Sequence, residues 1–272
     1  MSRGSPRPGL YYCRECISQF TVTVGTVCEQ SHIPLHKWVL AFHLMGASKK
    51  GISALQLQRM LGLGSYKSAW FMAHRIREAM DDKGAGGPIG GEGKTVEVDE
   101  THYGQHLYRH KKVRIGTKGK SKVMALVERG GKVRARKVDK IDSATAKAFL
   151  LEHAKPGGRL MTDETGIYTS IGSPLAGLFI SHQRVMHTAD EYVRGDVYTN
   201  TVENFFSVFK RGMRGVYQHC GNQHLQRYVT EFEFRFNHRT ALGVNDDQRA
   251  RAVLKGIEGK RLTYRRIDGR QG

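Results

Sequence analysis

VEVDET (residues 96–101) is an apolar run that stops on an acidic pair, and RLMTDETG (residues 159–166) repeats the arrangement further along. Such a run reads as a buried strand that delivers a carboxylate to the rim of a sheet. TNTVENFFSVFKRGMRG (residues 199–215) reads as a helix, with Glu203 one turn inside its start and Lys210 two turns later on the same face. Two strands and a helix therefore carry Asp99, Asp163 and Glu203. In a basic chain, that trio points to divalent-metal chemistry on nucleic acid.

The chain has 272 residues, 39% of them hydrophobic, enough for one sizeable domain and a smaller one. Its 44 Lys and Arg stand against 25 Asp and Glu, a formal charge of +19, so a polyanion is the expected partner. Nucleic acid fits that description, and no membrane partner is expected. The start, MSRGSPRPGLYY, lacks the apolar core of a secretory signal, and no run approaches 18 apolar residues. A cytoplasmic, nucleoid-associated location is expected. Four cysteines are too few for a disulfide scaffold in a chain this long.

Working outward, LHKWVLAFHLM (residues 35–45) has helical spacing, with Ser31 placed to cap it. Residues 52–80 give a helix, a break at Gly62 and Gly64, and a second helix. This helix-turn-helix pattern offers Tyr66, Lys67, His74, Arg75 and Arg77 to a DNA groove. GAGGPIGGEG (residues 84–93) holds six glycines and a proline, which marks residues 84–94 as a linker between a helical region (31–83) and a catalytic domain (95–240). Within that domain, strands are predicted at 96–103, 122–128 and 133–138, the last two forming a hairpin through Arg129, Gly130 and Gly131. Asp142 caps a helix over 143–154, and strands follow at 159–162 and near 178–181. A helix between strands favours a right-handed crossover, which lays the strand from Arg159 parallel to an earlier one. If that neighbour is the strand from Val96, Asp99 and Asp163 lie side by side. Residues 241–272 read as a basic C-terminal tail.

Phosphodiester cleavage needs an activated oxygen nucleophile, an in-line leaving oxygen and something to absorb charge on the phosphoryl oxygens. Two divalent ions roughly 3.5–4 Å apart supply all three, and carboxylates hold them. The expected cofactor is Mg2+, or Mn2+, on Asp99, Asp163 and Glu203.

VEVDET, MTDETG and NTVENFFSVFKRG, with GTVCEQSHIPLHKW, SKKGISALQLQRMLG, KSAWFMAHRIREAM and HLQRYVTEFEFRFNHR, resemble the DDE transposases of bacterial insertion sequences, in the group related to Merlin transposons. The resemblance covers nearly the whole chain. It implies an α/β fold with an RNase H-like core (a mixed sheet flanked by helices) whose acids match Asp99, Asp163 and Glu203, and Lys210 matches a basic residue seven positions after the glutamate. It also implies an N-terminal zinc-ribbon and helix-turn-helix region that binds terminal inverted repeats, target DNA as second substrate, and a homo-oligomer on DNA. Some members use asparagine as the third metal residue, which keeps Asn200 open as the alternative to Glu203.

Arg211, Arg214 and Asn204 share the helix with Lys210 and are further candidates for contact with DNA. The acid-free basic segment holding Arg109, Lys111, Lys112, Arg114, Lys118, Lys120 and Lys122 follows directly on the Asp99 strand, placed to grip DNA backbone irrespective of sequence. Residues 1–30 read as a zinc-ribbon remnant, since Cys13-x-x-Cys16 is half of a zinc knuckle. Zinc is not expected in the chain as written, although Cys13, Cys16, Cys28 and His32 have acceptable ligand types and spacing. Cys220 reads as a structural thiol, and His182, His187 and His219 as structural or DNA-contacting. The leading reading is an enzyme that cuts element ends and joins the freed 3′-hydroxyls to target DNA. The alternatives are an inactive transposase-derived DNA-binding protein and a structure-selective nuclease on the same fold.

Overall fold

A computed structural model describes residues 9–104, 120–169, 177–185 and 195–263. The chain divides into two compact units. One comprises Met1–Ala47, Ala54–Met80 and Asp246–Gly272; the other comprises Ser48–Ser53 and Asp81–Asn245.

In the first unit, β1 (Leu10–Cys13) and β2 (Ser18–Thr21) form an antiparallel hairpin with the Cys13 to Cys16 turn at its tip. Three helices follow: α1 (Leu35–Ala47), α2 (Ala54–Leu61) and α3 (Tyr66–Met80). Ser31 anchors the approach to α1 by accepting the Ile33 N–H at 3.2 Å and the Nε1–H of buried Trp38 at 3.1 Å. The last helix, α8 (Asp246–Lys255), packs on α1 and α3, buries Ala250 and Val253, and brings the Ala250 backbone close against Gly46. The segment read as a tail from 241 is thus folded through this stretch, because two apolar residues three apart give its helix a face to bury.

In the second unit, β3 (Ile89–Gly90) pairs in parallel with β7 (Ala154–Lys155). The main sheet has five strands among the described residues: β4 (Thr95–Tyr103), β5 (Ser121–Glu128), β6 (Val133–Val138), β8 (Gly158–Thr162) and β9 (Phe179–Arg184), in the order β6-β5-β4-β8-β9. The first three are antiparallel neighbours, while β8 runs parallel to both β4 and β9. Alternation sends Val96 and Val98 to one face, where α4 (Ser143–His153) and α5 (Gly166–Thr169) supply Phe149, Leu150 and Tyr168. Asp142 caps α4, accepting the Thr145 N–H at 2.8 Å. The opposite face carries Val123, Ala125 and Ala135 under α6 (Asn200–Gly212) and α7 (Leu225–Asn237), through Phe205, Phe209 and Phe232.

The glycine segment belongs to this unit and is no linker. Arg134 reaches it with two bonds to Gly87 O, at 3.0 and 2.8 Å, and Gly90 sits at φ +86° where a Cβ would come within 2.7 Å of Val96. Glycine is needed there because backbone must press against the sheet, not because a hinge is required. No helix among the described residues is long and apolar enough to cross a membrane.

Candidate active site

The parallel pairing of β4 with β8 matches Thr95 with Arg159, Val96 with Leu160 and Glu97 with Met161, a constant offset of 64 positions. Asp99 and Asp163 are separated by the same 64 positions and lie two residues beyond the last pair. Asp99 therefore lies midway along β4, which continues beside β5 as far as Tyr103, and comes level with Asp163 just past the end of β8.

The third acid arrives on α6. Its N-cap, Thr199, donates its hydroxyl to Glu203 Oε1 at 2.8 Å. Asp163 is held by Thr165, which donates both its N–H, at 3.0 Å, and its hydroxyl. Asp99 accepts the Glu100 N–H at 2.7 Å.

Electrostatics tie these groups together. Burial, then the charges of Glu100, Asp163 and Glu203, push the Asp99 carboxyl up to about 7. Glu100, the second acid of the strand-end pair, is also raised, first by burial, although Tyr168 donates its hydroxyl to Glu100 Oε2 at 2.5 Å. Burial together with the nearby acids holds the Tyr168 hydroxyl well above its ordinary value, so it remains a donor. No group of three His, Cys, Asp or Glu among the described residues is already drawn together around a metal position. The donor set nonetheless suits a hard dication. It is all carboxylate, the charges of Asp163 and Glu203 raise the proton affinity of Asp99, and a positive charge would relieve that repulsion.

Asn200, the alternative third ligand, is exposed at the first position of α6, and Glu203 is exposed one turn later. Lys210 is partly buried. With Lys122 and Lys120 it lowers the His102 imidazole, after the larger effect of burial, so these three cations gather beside the strand that carries Asp99. Arg214 lies near Tyr103, whose hydroxyl its charge lowers against the dominant effect of burial. Arg211 is exposed, with Nε bonded to Ser207 O at 3.2 Å. Arg109, Lys111, Lys112, Arg114, Lys118 and His187 lie outside the described residues. His182 faces Thr162, with Nε2 at 3.0 Å from its hydroxyl oxygen.

In the first unit the expected groove-reading face divides. Tyr66 and Lys67 are exposed, but His74, Arg75 and Arg77 are buried. Arg75 donates to Glu29 O at 2.9 Å and Leu262 O at 3.2 Å, fastening the first unit's own segments together. Arg75 and Arg77 are corrected from DNA contacts to interior residues, since a helical pattern does not show what returns to cover α3. At the hairpin tip, hydrogen bonds from Cys16 and from the Glu15 backbone lower the Cys13 thiol. Cys28 is 4% exposed, and burial pushes its thiol up to about 11 against the opposing hydrogen bond with Thr26 and the charge of Arg75.

Two residues near the acids had no signal of their own in the sequence. Glu97 is fully buried and accepts from Arg129 Nε at 2.6 Å, the Thr201 N–H at 2.8 Å, the Thr201 hydroxyl at 2.9 Å and the Val202 N–H at 3.0 Å. Arg129 also donates to Asp196 O and Tyr198 O, each at 2.7 Å, and lies 3.6 Å from the centre of the Tyr198 ring.

The sequence model of the ISXO2-like transposase domain matches residues 90–237, which contain all of these acids. The chain is 26% identical over 242 residues, 83% of its own length and 77% of the relative's, to an uncharacterized protein in transposable element ISH50 of Halobacterium salinarum. Among solved structures, the cryoEM structure of the simian T-cell lymphotropic virus intasome in complex with PP2A regulatory subunit B56 gamma aligns at 12% identity and a TM-score of 0.34. That alignment covers 66% of this chain and 63% of the other, and the likeness is too distant to carry an argument. The domain match spans more than half of the 272 residues, and the chain belongs to the ISXO2-like family of DDE transposases of insertion sequences.

Proposed function

We propose that the second unit is an RNase H-like catalytic core that cleaves DNA at the ends of its element and transfers the freed 3′-hydroxyls into target DNA. The observation that carries the reading is the shared offset of 64, which sets Asp99 on β4 level with Asp163 just past the parallel strand β8, with the charge of Glu203 reaching Asp99 from α6. Asp99, Asp163 and Glu203 would hold two Mg2+ or Mn2+ ions. When bound, such ions activate the attacking oxygen and neutralise charge on the phosphoryl group.

The chain's own residues orient the site. Thr165 keeps Asp163 from rotating away, Thr199 does the same for Glu203, and Tyr168 holds Glu100. Lys210, with Lys120 and Lys122, offers positive charge beside the strand that carries Asp99, in position for the DNA backbone next to the scissile phosphate. Water serves as nucleophile in cleavage and the 3′-hydroxyl in joining. Each gives up its proton as its oxygen bonds to phosphorus, and the displaced 3′ oxygen leaves with the electron pair. No covalent bond to the protein is needed.

The test is incubation of the full chain with Mg2+ and labelled duplex carrying the element's ends and flanks. Cutting followed by joining supports the reading. Cutting without joining favours a nuclease, and binding alone favours a DNA-binding protein; either result overturns it.

A further inference from the structure

α6 starts without using its own cap. Thr199 occupies the N-cap position, yet its side chain takes none of the first amides of the helix and bonds Glu203 instead. Those amides need an acceptor. It comes from Glu97 on β4, whose carboxylate receives the N–H groups of Thr201 and Val202 at 2.8 and 3.0 Å and the Thr201 hydroxyl at 2.9 Å. Arg129 completes the set at 2.6 Å and grips the carbonyls of Asp196 and Tyr198, so the chain entering α6 is fixed from the same point. A negative group at a helix N-terminus is favourable in its own right.

Glu97 and Asp99 are two residues apart on one strand and face the same side of the sheet. The bonds from Glu97 to the first turn of α6 therefore decide where Glu203 stands relative to Asp99. A helix that needed only a beginning could cap itself with Thr199. Supplying the cap from β4 releases the Thr199 hydroxyl to hold the acid.

We propose that Glu97 is a positioning residue of the acid site. It caps α6 in place of Thr199 and, through Thr199, fixes Glu203 against Asp99. The proposal rests on Asp99, Asp163 and Glu203 being the metal-holding acids.

The test uses the full-length protein and two readouts: the Mn2+ concentration giving half of the metal-induced rise in Tm, and the Mn2+ concentration giving half-maximal DNA cleavage. Glu97→Gln keeps the shape but turns an amide donor toward groups that themselves donate. Both midpoints should rise about 10- to 100-fold, the usual consequence of losing a group that orients a ligand. Thr201→Val removes one donor to Glu97 and should shift both midpoints less, in the same direction. Thr199→Val should shift them, and Thr199→Ser should restore them. Glu233→Gln, a buried acid elsewhere in this unit, should lower Tm without moving either midpoint.

Wild-type midpoints in Glu97→Gln at a lowered Tm would reduce Glu97 to a structural acid and overturn the proposal. If Glu97→Gln does not fold, Thr201→Val and Thr199→Val decide: shifted midpoints support positioning, and unmoved midpoints overturn it. If Asp99→Asn leaves the Mn2+ effect on Tm intact, the acids are not the metal site and both readings fall. If Asp99→Asn abolishes that effect while Glu97→Gln leaves it unmoved, only the positioning role falls.

Discussion

On α7, Glu233 is 5% exposed and accepts from Arg134 and Arg136, each at 2.9 Å, and from the Ala135 N–H at 3.0 Å. Its neighbour Glu231, fully buried, is paired with Arg235 and accepts the Tyr217 hydroxyl at 2.7 Å. Midway along β4, Asp99 has one backbone donor, three acids around it and, among the described residues, no ion pair. Burying a charge is costly unless it is paired. The α7 region answers that cost with arginine, and Asp99 has no such partner among the described residues. An acid buried among other acids is a poor way to stabilise a fold and a good way to attract a divalent ion.

The comparison breaks most visibly on activity. Asp99→Asn, Asp163→Asn and Glu203→Gln should each abolish cleavage of element-end DNA while binding stays within a few-fold, whereas Glu233→Gln should keep full cleavage per folded molecule. Near-normal cutting by any of the three removes that residue from the site. An inactive Asn200→Ala beside an active Glu203→Gln would give the third ligand position to Asn200.

Stability should separate the two regions by sign. Removing one partner of the α7 network leaves buried arginine charge unpaired, so Glu233→Gln should lose about 3–5 kcal/mol in denaturant unfolding. Asp99→Asn removes a repelled charge, and at pH 8 without metal it should be more stable than wild type. A loss of stability in Asp99→Asn would mean that the cluster is held by interactions other than those described.

The pH dependence follows from the same charge. The folded pKa of Asp99, about 7, lies above its ordinary value near 4 when unfolded, so ionisation opposes folding. Metal-free stability should fall as pH rises from about 4 to about 7 and remain low above that. The rise in Tm on adding Mn2+ should accordingly be larger at pH 8 than at pH 5. An equal rise at both values would show that the metal does not act on Asp99.

The smallest effect is expected from the cations beside His102. Replacing Lys120, Lys122 and Lys210 together with glutamine should weaken binding to any duplex, and the slope of log K against log salt should fall by roughly 0.9 for each phosphate that is no longer neutralised. A weakened sequence preference at unchanged overall strength would refute a backbone role.

What the sequence showed about this site was local. Apolar runs ending on acids, the cap at Asp142 and the β5–β6 hairpin need only neighbours in the chain, and the spacing of Asp99 and Asp163 already equals the register that pairs their strands. What it hid depends on distant partners. Glu97 reads as one more acid in VEVDET because its donors on α6 lie more than a hundred positions away. The glycine segment reads as a linker because its strand Ile89–Gly90 has meaning only beside Ala154–Lys155. Arg75 and Arg77 read as groove-facing because a helical pattern cannot reveal that residues 29 and 262 converge on Arg75.

The central claim is that Asp99, Asp163 and Glu203 are a metal site, and the direct measurement is Mn2+ bound per protomer on DNA-bound protein at pH 8, followed by electron paramagnetic resonance. Wild type and Glu233→Gln should bind two ions with the same affinity, while Asp99→Asn should lose at least one. Equal binding in Asp99→Asn and wild type would contradict the account.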